Sequence, residues 1–279
     1  MEPPTSTDAG EPARTALPRG PDPAPIDHGE AIRLLRAGRL TVKALIAGAS
    51  NITLYGRVVP RGRAVSGGET PRPEGVASRA SGIGCVYKPI RGERPLWDFP
   101  DGTLAHREVA AYLLSEAAGW RVVPPTVLRS GPLGPGMVQR WIDVDPSIDL
   151  LDLFQSDHPA LRRMALFDHV VNNADRKIGH LLPVPGGHVY GVDHGVCFAE
   201  EHKLRTVLWG WRGVPFTTDE IAVLGGLRRA LGAGLRTRLR GHLSDGEIMA
   251  TTERIDRLLT GGAFPQPDPD RRVIPWPPV

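Results

Sequence analysis

The chain has 279 residues, 41 % of them hydrophobic and 23 % charged, with a formal net charge of +3. That length gives one large domain or two small ones with a proper core. A charge of +3 is too small to direct the chain to nucleic acid, no apolar run approaches the roughly 18 residues of a membrane span, and two cysteines, Cys85 and Cys197, exclude a disulfide framework.

Residues 1–26 are rich in Pro, Ala, Gly and Thr and read as a disordered tail. They lack the apolar stretch of a secretory signal, so a cytoplasmic location is expected. Asp27 and Glu30 have capping-box spacing and start a helix that Gly38 ends. Strands are expected at Leu40–Ala47 and Ile52–Val59, around the turn Gly48–Asn51. Residues 60–80 form a Gly/Pro/Arg-rich loop, and Ile83–Ile90 is a third strand carrying Lys88. Leu104–Ala118 is helical, and Val122–Leu128 and Gly136–Ile142 are further strands. After a boundary near Asp143–Leu150 comes an amphipathic helix, Leu161–Val171. Two short strands follow at Leu181–Val184 and His188–Val192. Beyond Trp211 the chain is mostly helical, with capping boxes at Thr217/Glu220 and Ser244/Glu247. Residues 264–279 hold six prolines and read as an extended tail in which Trp276 docks on the body. The order predicts an α+β fold of two lobes. The N-lobe spans residues 27–143 and the C-lobe 144–263.

Of the 34 basic residues, only Lys43, Lys88, Lys177 and Lys203 are lysines. The excess of arginine follows the Ala/Gly/Pro bias of the chain, so each lysine marks a place where arginine did not serve. A strand lysine such as Lys88 needs an anionic partner if buried, and Glu108, twenty residues on along a helix, is a natural one. The run Asn173-Ala174-Asp175-Arg176-Lys177 follows a buried-looking helix, a poor place for packing. Eighteen residues after Asp175 comes Asp193, in Asp193-His194-Gly195 at a strand end. Together these positions suit phosphoryl transfer: a lysine for phosphate oxygens, a glutamate to hold it, one aspartate for magnesium and one to orient a hydroxyl.

The order and spacing resemble the atypical kinases of the phosphatidylinositol 3-/4-kinase superfamily. The nearest motifs are those of type II phosphatidylinositol 4-kinases and HipA-type kinases, with an Asn-x-Asp-Arg loop and a later Asp-x-Gly. More closely still, the chain looks like an actinobacterial family distantly similar to these lipid kinases. Its marks are Tyr87-Lys88-Pro89, the run from Glu93 to Pro100, and Lys203-Leu204-Arg205-Thr206. The resemblance implies a protein-kinase-like fold that binds ATP with Mg²⁺, or Mn²⁺, between the lobes. It implies that Asp175 is the catalytic aspartate, flanked by Arg176 and Lys177, and that Lys88 contacts the nucleotide phosphates while Glu108 pairs with Lys88. Ser50 and Asn51 would cover those phosphates from their turn. Met137–Trp141, with Gln139, Arg140 and Trp141 at the nucleotide, would form the hinge between the lobes, whose backbone meets adenine. Asp193 would ligate the metal, with His180 at the position five after Asp175, where related kinases carry Asn.

Imidazole is a poor magnesium ligand. His180 therefore motivates a second reading, a nucleotide-binding pseudokinase with a signalling or scaffolding role. A third is a metal-dependent hydrolase with His180, Asp193 and His194 as ligands, although no His-Glu-x-x-His spacing supports it. The acceptor is expected to be a protein or small molecule rather than a lipid. Arg228, Arg229, Arg236, Arg238 and Arg240 read as a solvated face or a weak contact for lipid head groups. Trp209 and Trp211 read as core, with an acceptor platform as the alternative.

Overall fold

The computed structural model describes residues 27–61 and 82–278. The expected N-terminal tail and most of the 60–80 loop lie outside the described residues. Helix α1 (His28–Ala37) opens with the Asp27 carboxylate accepting from the amides of Gly29 and Glu30. It ends at Gly38 because the chain turns there against Val58. A Cβ at Gly38 would lie 2.4 Å from Val58 Cγ1.

Strands β1 (Arg39–Leu45), β2 (Leu54–Val59), β3 (Ile83–Pro89), β4 (Thr126–Gly131) and β5 (Gly134–Arg140) form one antiparallel sheet in the order β1-β2-β3-β5-β4. Alternation along β3 decides which side chains face where. Ile83, Cys85 and Tyr87 point into a core shared with Ala31 and Leu35 of α1. Val86 and Lys88 point the other way, towards α2 (Leu104–Ala117). Register adds neighbours to that second face, since Val86 pairs with Tyr55 of β2 and Gln139 of β5, and Lys88 pairs with Met137. Met137 belongs to the main core, which α2 shares with the helices downstream.

Those helices are α3 (Leu150–Gln155), α4 (Pro159–Val171), α5 (Thr218–Leu231), α6 (Gly234–Leu239) and α7 (Asp245–Gly261), with a hairpin of β6 (Leu181–Val184) and β7 (His188–Gly191) between α4 and α5. Capping boxes at Thr217/Glu220 and Ser244/Glu247 are both closed, as their spacing predicts. The α+β expectation thus holds, with the sheet early and the helices late.

Some details differ. Strand β4 begins at Thr126 and not Val122, because Pro124 and Pro125 have no N–H to donate to a ladder. Trp209 and Trp211 are core residues, each 9 % exposed. The arginine-rich helices are largely neutralised: Arg228 pairs with Asp256, and Arg236 and Arg240 pair with Asp245. Cys85 and Cys197 are free thiols buried in separate cores. Burial pushes the Cys85 thiol up to about 12 and raises Cys197 as well, so neither is a reactive thiolate. No helix among the described residues is long and apolar enough to cross a membrane.

Candidate active site

Lys88 reaches from the sheet to two carboxylates. Its Nζ lies 2.7 Å from Glu108 Oε1 on α2 and 2.8 Å from Asp193 Oδ1, just after β7. Burial alone would lower the Lys88 pKa, but Asp193 and Glu108 outweigh it and hold the ammonium charged. In return Lys88 holds Asp193 well below the usual carboxylate range. Glu108 is 1 % exposed and uses both oxygens, since Oε2 accepts from the backbone amide of His194 at 3.0 Å. One helix glutamate therefore ties the sheet lysine to the loop bearing Asp193. Asp193 adopts φ 63°, a left-handed conformation that Asp tolerates better than most residues.

The segment after α4 is built on a different carboxylate. Asp168, fully buried on α4, accepts from Asn173 Nδ2, from the Arg176 guanidinium and from Thr206 Oγ1, all at 3.0–3.2 Å. Asn173 Oδ1 in turn accepts from the Asp175 amide at 3.0 Å. Asn172 caps α4 at φ 54° and fastens it to the carbonyls of Ala199 and Glu201. Asp175 is thus the member of the run whose side chain is left partly open, at 37 % exposed, 3.6 Å from Lys177 Nζ. Burial raises its pKa, Lys177 opposes that, and the charge of Asp193 adds to it. Asp175 therefore lies within electrostatic reach of Asp193.

Arg176 departs from expectation. It is 0 % exposed, so its side chain is out of reach of any substrate. Its guanidinium instead joins Asp168, the Val192 carbonyl and His194 Nε2, linking the Asp175 segment to the Asp193 segment. His194 accepts from Arg176 at 2.6 Å in a fully buried position, which removes it from any ligand set. The three-ligand hydrolase arrangement is therefore not formed. Among the described residues no group of three or more His, Cys, Asp or Glu is placed to hold a metal ion.

His180 also takes a different part. Its Nδ1 accepts from the Lys177 amide at 3.4 Å, and Nε2 lies 3.6 Å from Asp193 Oδ2. Burial pushes its pKa down to about 4, so the ring is neutral at pH 7. A neutral ring accepting at Nδ1 carries its proton on Nε2 and presents N–H, not a lone pair, to Asp193. As held, the imidazole turns an N–H towards Asp193 beyond hydrogen-bond distance.

Of the residues expected at the nucleotide, Ser50 is exposed in the β1–β2 turn, and Asn51 Oδ1 is engaged by the Arg94 amide. Gln139 is buried against Thr126, its amide donating to the hydroxyl at 2.8 Å. Arg140 closes β5, with its amide donating to the Pro125 carbonyl. Trp141 packs edge-on to Tyr55 at 5.0 Å, above Gly84, where a Cβ would meet Trp141 Cβ at 3.1 Å. Tyr55 and Val86 share the Lys88 face of the sheet. Sequence reasoning missed both, although the period-2 pattern of β2 and β3 carried the signal.

These features define a two-part α+β protein whose sheet and helices meet at a Lys88–Glu108–Asp193 cluster beside Asp175. The chain belongs to the family of protein Rv2133c of Mycobacterium tuberculosis, with which it is 46 % identical over 228 residues, covering 69 % of this chain and 82 % of that protein. No family model matches it. Among solved structures it is similar to the Golgi casein kinase with Mn/ADP bound (11 % identity, 86 % of this chain and 80 % of that one, TM-score 0.49). It is also similar to the Helicobacter pylori proinflammatory kinase CtkA (10 % identity, 80 % and 92 % covered, TM-score 0.43).

Proposed function

We propose that the protein is an ATP-dependent phosphotransferase. The observation that carries this reading is the convergence of Lys88, Glu108 and Asp193 within hydrogen-bond distance, with Asp175 within reach of the Asp193 charge. The four residues span 106 sequence positions, from Lys88 to Asp193, yet hydrogen bonds join three of them and Asp175 lies within electrostatic reach of Asp193. A purely structural ion pair needs neither the second aspartate nor its partial exposure.

Each side chain has a matching task. Lys88, charged and slim, neutralises phosphate oxygens once it leaves Asp193. Glu108 retains it in the right orientation. Asp175 accepts a hydrogen bond from the acceptor hydroxyl and takes its proton as the phosphoryl group transfers. Asp193 fits magnesium: it is a hard oxygen donor held ionised, and that ion is typically bound by one or two carboxylates plus substrate phosphates. The metal, when bound, supplies charge neutralisation between the phosphates. Tyr55, Val86 and Trp141 give the half-buried apolar face on which a purine can lie. Kinship with the phosphatidylinositol 3-/4-kinase-like and HipA-type enzymes rests on Asn173–Arg176 and Asp193–Gly195. A protein or small-molecule acceptor and a cytoplasmic location remain part of this reading.

The test is magnesium-dependent stabilisation by ATP, together with mass spectrometry of the protein after incubation with ATP. Wild type is expected to gain melting temperature with ATP and Mg²⁺, and Asp193→Asn to lose that gain. Equal shifts in the two proteins would overturn the reading. The pseudokinase alternative is favoured by His180 alone, and it predicts ATP binding without any product that disappears in Asp175→Ala.

A further inference from the structure

The proline-rich C-terminal segment is not a loose tail. Its Val273 carbonyl accepts from the Thr206 amide at 3.0 Å and from Trp209 Nε1 at 3.1 Å. Its Pro278 carbonyl accepts from the Ile178 amide at 2.9 Å, three residues after Asp175. The segment straps the loop that bears Asp175.

Between this strap and residues 202–205 lies a cavity of about 220 Å³, lined by Arg205, Arg271, Arg272, Lys203, Asp268 and Asp270 among others. The charges are unevenly satisfied. Lys203 pairs with Asp98 at 3.0 Å. Asp268 Oδ1 accepts from the Asp270 amide at 3.0 Å. The three guanidiniums make no hydrogen bond or ion pair among the described residues; Arg272 only stacks over Trp276, at 5.8 Å. Three solvent-exposed guanidiniums free of protein partners among the described residues outnumber the two carboxylates around this concavity, and they offer their forks to an anion with several oxygens.

The position relates the cavity to the chemistry. The Arg205 amide donates to the Asn173 carbonyl, and the Arg205 carbonyl accepts from the Arg176 amide, so Arg205 is laced to both sides of Asp175. Its charge is felt at the Asp175 carboxylate. We infer that this cavity is a phosphate-binding subsite on the acceptor side, and that the acceptor carries a phosphate group as well as the hydroxyl presented to Asp175. The acceptor assignment rests on the phosphotransferase reading; the phosphate site itself does not.

Tryptophan indole resonances of the full chain separate the two. Trp209 donates to the carbonyl of Val273 and Trp276 lies under Arg272, both residues that line the cavity, whereas Trp141 lies on the proposed nucleotide face. Titration with inorganic phosphate at constant ionic strength is expected to move Trp209 and Trp276, and acetate to leave them in place. Arg205→Ala and the double variant Arg271→Ala/Arg272→Ala are each expected to weaken phosphate binding about tenfold. None of these side chains donates a hydrogen bond that holds the strap, so the strap contacts at Trp209 persist. Phosphate shifts confined to Trp141, or shifts at Trp209 and Trp276 unchanged in both variants, would overturn the subsite. Failure of ATP with Mg²⁺ to move Trp141 would instead count against the phosphotransferase reading and leave the phosphate result standing.

Discussion

Lys88 Nζ stands between Glu108 Oε1 and Asp193 Oδ1, at 2.7 and 2.8 Å, and so couples a sheet strand to a loop 105 residues away. Lys88→Met removes that cation and leaves the Glu108 carboxyl without its partner in a site that is 1 % exposed. A buried carboxylate without its partner costs about 3–5 kcal/mol. Urea unfolding is expected to show that loss. The double variant Lys88→Met/Glu108→Gln is expected to recover most of it, because the uncompensated charge is gone. ATP turnover is expected to fall about 100-fold or more in both, as phosphate charge goes unanswered. Recovery of turnover together with stability would show that Lys88 serves only the fold.

Arg176 and Asp168 form the second buried pair, each 0 % exposed. Burial would lower the Arg176 pKa, but Asp168 outweighs it and keeps the guanidinium charged. Arg176→Met is expected to cost about 3–5 kcal/mol, and Asp168→Asn a comparable amount. The two losses are expected to be strongly non-additive in a double-mutant cycle. The melting temperature is therefore the first readout to move, with nucleotide affinity following only as the fold loosens. A variant that keeps full stability but loses turnover would return Arg176 to the catalytic group.

Much of this was legible in the sequence. Lysine was rare enough for Lys88 to stand out, and Asn173–Arg176 and Asp193–Gly195 are polar runs where packing alone would put apolar residues. The strands and most helices followed from period and capping. What was hidden depends on contacts distant in sequence. Asp168 sits one turn from the end of an amphipathic helix and reads as an ordinary polar residue; only the fold brings Asn173, Arg176 and Thr206 to it. Arg176 reads as catalytic because it adjoins Asp175, yet its side chain turns inward. His180 reads as a ligand by position, while its donor geometry depends on the Lys177 amide. Helix α3 has only six residues, with Leu151 53 % exposed, too short for a helical period to emerge.

His180→Asn replaces an N–H facing Asp193 with an amide that can turn a carbonyl oxygen towards a metal. The expected outcome is a several-fold lower Mg²⁺ concentration for half-maximal ATP stabilisation, with the unliganded melting temperature little changed. A weaker magnesium requirement of this kind, read by thermal shift at saturating ATP, would identify His180 as the departure that limits metal binding. An increase in the Mg²⁺ needed would mean that the imidazole supports the ion after all.

As the general base of the proposed transfer, Asp175 is expected to set the acid limb of turnover. Burial holds its pKa above the ordinary aspartate value of about 3.9, and Lys177 works against that. A general base acts when ionised, so kcat/KM for ATP turnover is expected to fall as pH drops through that raised value. Lys177→Ala removes the opposing charge and is expected to move the limb to higher pH. Asp175→Asn is expected to abolish the limb along with turnover, while ATP and Mg²⁺ still raise the melting temperature. A limb that stays in place in Lys177→Ala would detach it from Asp175.

His169 gives the fold its own pH dependence, away from the cleft. It packs edge-on against Trp209 and Phe264 and is 7 % exposed. Burial, then the nearby charge of His202, lowers its pKa to about 4, against an unfolded value of about 6.5. The group is neutral when folded and binds a proton more readily when unfolded. Its contribution to stability is therefore fully present above pH 6.5 and is lost as pH falls towards 4, by roughly 3 kcal/mol. His180 and His242, also lowered to about 4, steepen the same decline. His169→Phe keeps the aromatic contacts and removes one titrating site. Unfolding free energies measured between pH 7 and 4.5 are expected to fall less steeply in that variant, by up to one proton released per molecule folded. Parallel curves would show that the His169 ring is protonated as easily inside the fold as outside it.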